Sequence, residues 1–136
     1  MNTKKLFTIG ILGAIAVSLG ALGAHFLKSK LETGLITPEQ LNGFDTGVKY
    51  QMYHVLGMLA LVILSKQHPH KFLNWAYACF FLGIIMFSGS LYFLTTRHLL
   101  GADWLTVLGP ITPIGGLFFV AGWVLLALVG LKKEKQ

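Results

Sequence analysis

Charge is what this sequence has least of. Only 12% of its 136 residues are Asp, Glu, Lys or Arg, where a soluble domain carries about 25%. With 54% hydrophobic residues and a mean hydropathy of +0.68, the chain is short of polar surface to cover itself, which excludes a water-soluble fold. Carboxylates number five in all, and no apolar run holds one clear of its ends. That argues against a proton-coupled exporter, which carries an acid within the membrane. The single cysteine, Cys79, excludes an internal disulfide and leaves the redox compartment unread. No standard catalytic signature occurs, so no reaction can be named.

Long apolar runs are what the chain has instead. A helix rises about 1.5 Å per residue, so crossing about 30 Å of hydrocarbon takes about 20 residues. Leu6 to Leu27, Phe72 to Thr95 and Pro113 to Leu131 each meet that length. Another run, Val55 to Leu64, is purely apolar but too short. Its helix must begin near Asp45 and carry polar residues inward, giving a span over about 46–65. The first run has a basic end and "ALGA" like a secretory signal, yet it exceeds the usual apolar length of about 7–15 residues and is predicted to stay as a helix. The expected fold is all-α: one domain over 1–136, an integral membrane protein built as a compact antiparallel four-helix bundle.

The net charge of +6 comes from basic residues at the ends of apolar runs, which suits lipid head groups and not a nucleic-acid partner. Lys4, Lys5, Lys66, Lys71, Lys132, Lys133 and Lys135 fall on one side of the spans; Lys28, Lys30, Lys49 and Arg97 fall on the other. Seven against four predicts both termini in the cytoplasm of a multi-pass bacterial inner-membrane protein.

Ser65 to Lys71 reads as a short turn. In "TPEQLNGF", Thr37 is a cap, Pro38 fits the first helical position and Gln40 closes a capping box. A short interfacial helix is therefore expected in the first outer loop, before the chain turns inward. Thr112-Pro113 offers a similar start for the last span, and Pro110 disfavours helix just before it. Small residues recur seven apart at Gly13 and Gly20, at Ala76, Gly83 and Ser90, and at Gly115 and Gly122; Ala16, Gly20 and Ala24 recur every four. Such stripes let membrane helices approach closely, although glycine is also simply common in them.

The polar residues of "GVKYQMYHVLGMLALVIL" are the candidates for function. Counted back from Ser65, His54 lies about 16 Å deep and Lys49 about 24 Å. Lys49 can snorkel, or pair with Asp45 one turn earlier. Five residues separate Lys49 from His54, so they occupy different faces, with Gln51 between. Tyr50 and His54 share the inward face, where a neutral His54 is expected to donate to the first or third helix, with Ser90 as its partner. His25 ends the first span at the outer interface. Ser88 and Ser90 also read as small packing residues. Tyr50, Tyr53, Tyr92, Trp75 and Trp104 read as interfacial anchors; Arg97 and Asp103 lie in the outer loop, where they can pair, although such residues are more often simply solvated.

Three sharper chemistries each lack a required part. Haem between His25 and His54 needs both rings at one level, but their depths differ by about 12 Å. Zinc needs a third ligand, and none accompanies that pair, so no metal or other cofactor is expected. A serine nucleophile with His54 as base lacks an oxyanion site.

Four stretches in order, "GALGAHFL", "TGVKYQMYHVL", "FSGSLY" and "GPITPIGGLFFVAGW", resemble the family catalogued as domain of unknown function 423, whose eukaryotic relatives are called transmembrane protein 256. The resemblance covers nearly the whole chain and implies a small four-helix protein of the bacterial inner membrane with no established activity. Its motif residues coincide with those singled out by depth: His25, Tyr50, Gln51, His54, Ser90 and Tyr92. Two readings follow. In one, these residues and Lys49 line an outward-facing pocket for a small polar or amphiphilic molecule, or a lipid. In the other, they only fix the packing of an accessory or scaffold protein that meets partner helices or a second copy of itself.

Overall fold

The computed structural model describes residues 2–131, which form helices and turns with no strand among them. Among the described residues, four helices are long and apolar enough to cross a membrane. The first, α1 (Thr3–Glu32), is one continuous helix with a π-helical turn at Gly23–Leu27. It is followed by α2 (Pro38–Gln67), by α3 (Lys71–Thr96, with a π-helical turn at Ile84–Ser88) and by α4 (Ile111–Gly130). A 3₁₀ turn, Asp103–Leu108, precedes α4.

The helix ends follow from local chemistry. Asn2 accepts from the Lys5 amide at 3.2 Å and opens α1. Both bonds of the Thr37–Gln40 box form, at 3.1 and 3.0 Å, and Pro38 takes the first position of α2. His70 Nδ1 accepts from the Phe72 amide at the start of α3. Gly34 and Gly101 take positive φ (76° and 63°) just past α1 and α3. There, paired bonds such as Leu35 N–H to the Lys30 carbonyl satisfy the last carbonyls.

Two expectations need correcting. The capping box does not open a separate interfacial helix; α2 runs unbroken from Pro38 to Gln67, so the expected short helix is its first turns. Within these first turns Gly43 gives room for the Thr95 methyl on α3, which would lie 2.8 Å from an added Cβ. The last span also starts earlier than Thr112-Pro113. It begins at Ile111, with Pro113 inside the first turn, where a missing amide hydrogen costs nothing.

The second and third helices form the centre, joined by the shortest connection, and α1 and α4 flank them without an extended interface to each other. Gly13 and Gly20 of α1 face Val55 and Val48 of α2. On the opposite flank, the Phe119 ring of α4 covers Gly83 of α3, and the Phe80 ring of α3 covers Gly122 of α4. Gly115 brings α4 against the α3 backbone at Phe87, where no side chain fits. Here close packing of small residues does the work that hydrophobic burial does in water. One apolar cluster, including Met58, Leu73 and Phe80, fills the half of the bundle nearer the termini; a smaller one, Leu27, Ile36 and Phe44, fills the long-loop end.

Candidate functional site

Gln51 lies on the face of α2 between its two neighbours and is 2% exposed. Its Nε2 donates to the Leu12 carbonyl of α1 at 2.7 Å, and its Oε1 accepts from the Tyr92 hydroxyl of α3 at 2.6 Å. A carbonyl can only accept, so Leu12 fixes which way the amide points. One side chain therefore ties three helices together.

One turn deeper, His54 is also buried. Its Nδ1 meets the Tyr50 carbonyl at 2.7 Å, and its Nε2 meets the Trp123 indole Nε1 of α4 at 3.1 Å. The carbonyl only accepts and the indole only donates, so the ring must carry its proton on Nδ1 and leave Nε2 bare. That is the neutral imidazole. Phe119 stacks on the ring at 3.6 Å between centroids, and Phe80 meets it edge-on at 5.0 Å. The expected donation to Ser90 does not occur. Ser88 Oγ donates to the Gly47 carbonyl at 2.7 Å, which sets the α2–α3 register and places Phe80 beside His54. In that register Ser90 sits roughly 13 Å further along the axis.

Ser90 instead donates to the Phe87 carbonyl at 2.9 Å and shares a 2.5 Å hydrogen bond with Thr112, tying α3 to α4. At the terminal end, Lys5 donates to the Asn74 side chain at 2.8 Å and Tyr77 donates to the Lys5 carbonyl at 3.3 Å, linking α1 to α3. Among the described residues, every buried side-chain nitrogen and oxygen has a partner.

The remaining candidates lie elsewhere. His25 is exposed on the π-helical turn of α1. Lys49 is exposed and sits 2.8 Å from the Asp45 carboxylate. Tyr50 is half-exposed, with its ring against Phe87 at 4.9 Å and Tyr53 at 5.8 Å. So the structure brings Gln51 to Tyr92 and Tyr50 to His54, but His25, Lys49 and Ser90 do not join them in one pocket. Arg97 and Asp103 do not pair either: Arg97 donates to the Leu94 carbonyl, and Asp103 meets His98 at 2.8 Å.

Sequence reasoning missed Trp123 and Thr112. Trp123 carried a signal, since an indole N–H within an apolar span needs an acceptor. A cleft of about 410 Å³ also went unforeseen; it lies between the long-loop ends of α1 and α2, away from the buried network.

The model of a family described as "Protein of unknown function (DUF423)" matches residues 19–116. A UPF0382 membrane protein of Staphylococcus haemolyticus is 40% identical over 94% of this chain and 97% of its own length. The YwdK membrane protein of Bacillus subtilis is 39% identical over 95% and 98%. The inner membrane protein YgdD of Escherichia coli is 35% identical over 96% and 91%. No solved structure matches. On both the family model and these near full-length relatives, the chain belongs to the DUF423 (UPF0382) family of membrane proteins, whose function is unknown.

Proposed function

We propose that the chain is an accessory membrane protein: a rigid helical bundle whose buried polar residues fix its packing and whose working surface is its outside. One observation carries this reading. The polar side chains that a conduit or an internal pocket would use are already bonded to each other or to the backbone across helix interfaces. The flanking helices support it. Only 22% of the most apolar window of α1 and 17% of that of α4 is buried, against 39% for α2, which leaves broad faces for lipid or partner helices.

By the lysine and arginine bias, and by the inner-membrane name of the Escherichia coli relative, we place it in the bacterial inner membrane with both termini in the cytoplasm. Reporters fused at Gln136 and inserted near Glu32 should then report opposite sides. The accessory role is tested by reconstitution into sealed vesicles loaded with a pH dye or a small fluorescent solute. Vesicles as tight as protein-free ones are expected. Protein-dependent leakage that Gln51→Leu or His54→Phe changes would overturn the reading in favour of a conduit.

A further inference from the structure

The cleft between α1 and α2 is apolar inside and polar at its mouth. Its inner part is apolar, with Phe44 and Val48 of α2 meeting α1 at Gly20 and Gly23, where an added Cβ would lie 3.4 and 3.2 Å from those side chains. Its mouth is polar: Lys28 of α1 faces Asn42 and Asp45 of α2. These groups have capacity to spare. Lys28 forms no ion pair among the described residues, and it does not pair with Asp45. Asp45 meets Lys49 through Oδ2, and no cation of α1 pairs with it among the described residues.

Level agrees with a lipid, and volume with its head group and part of one chain. Lys28 stands about 33 Å along α1 from Leu6, and Asp45 about 30 Å along α2 from Ser65, so both reach the head-group layer. A volume of about 410 Å³ falls within the usual range of ligand sites, about 300–1,000 Å³.

We propose that this cleft binds a phospholipid of the surrounding bilayer with a primary ammonium head group. The phosphate lies against Lys28, the ammonium donates to Asp45, and an acyl chain follows the apolar floor. The charge pattern selects this occupant. A cation and a carboxylate on opposite walls match a phosphate and an ammonium on one head group. A purely anionic head group would leave Asp45 facing negative charge, and a trimethylated one has no N–H to give it.

Native mass spectrometry of the full chain in mild detergent tests this, with added phosphatidylethanolamine, phosphatidylcholine or phosphatidylglycerol of identical acyl chains. The expected result is preferential retention of phosphatidylethanolamine, reduced about tenfold by Lys28→Gln and by Asp45→Asn, in line with loss of one charge-assisted hydrogen bond. Lys49→Gln, which leaves Asp45 in place, should retain the lipid. Should Asp45→Asn fail to purify, Ala24→Leu, which fills the cleft from an exposed position of α1, takes its place and is also expected to lose the lipid. Equal retention of the three lipids, or no effect of Lys28→Gln, would overturn the proposal. So would displacement by water-soluble phosphorylethanolamine as readily as by the lipid.

Discussion

Tyr92 and Gln51, forty-one residues apart, meet at 2.6 Å inside the bundle, and the same amide then reaches Leu12. The bond makes α3, α2 and α1 a single connected unit at mid-chain depth. Inside a membrane a hydrogen bond between helices is worth about 0.6–2 kcal/mol.

Replacing Gln51 by Leu removes both links and leaves the Tyr92 hydroxyl buried without its acceptor. The expected cost is about 1–3 kcal/mol, read from denaturant unfolding in detergent. Tyr92→Phe, which loses one link, should cost about half as much. The double variant should cost less than the sum, because the two residues share that bond. Strict additivity would show that the bond contributes nothing.

For His54 the geometry predicts one tautomer. Nitrogen NMR of the labelled imidazole should show a protonated Nδ1 and a bare Nε2 at neutral pH, because Trp123 can only donate. Trp123→Phe should remove the Nε2 signature of an accepted hydrogen bond while leaving Nδ1 bonded to Tyr50. An Nε2–H resonance in the native protein would contradict the assignment.

The glycines of the flanking helices should behave in opposite ways. Gly115→Ala drives a Cβ into the α3 backbone at Phe87 and should cost about 3 kcal/mol or more, seen as loss of the monodisperse folded species. Gly10 has nothing within 4 Å of an added Cβ, so Gly10→Ala should stabilise α1 by up to about 1 kcal/mol.

At the start of α2, Thr37→Ala should cost about 1 kcal/mol by removing the acceptor for the Gln40 amide. Hydrogen exchange should rise in the first turn of α2 and stay unchanged around Gln51. Protection lost along the whole helix would mean that the cap holds more than its own end.

How legible was all this in the sequence? The spans were, because bilayer thickness sets a length that few other constraints imitate. The chemistry of the caps was also legible, since Thr37, Pro38 and Gln40 act within one turn. Their consequence was not: the cap marks where a helix starts, and nothing within that turn says that it runs on past Asn42-Gly43 to Gln67. The same holds for His54. Its depth could be counted along one helix, but its partner depended on the register between helices, which the Ser88–Gly47 bond fixes and which no spacing within one span encodes. The cleft was hidden because its walls come from two helices and include Gly23 and Ala24 of the π-helical turn of α1, and no spacing within one span encodes such a meeting.

The absence of an extended interface between α1 and α4 has a mechanical consequence. Each terminal helix is seated on the central hairpin alone, so force applied at one end of the chain need strip only one helix, while the other keeps its entire seat. When both ends are pulled, the hairpin of α2 and α3, closed by the three-residue turn His68–His70, is then the last element to yield. By the same geometry, it is the part that must already be in the bilayer before either flank has anywhere to dock.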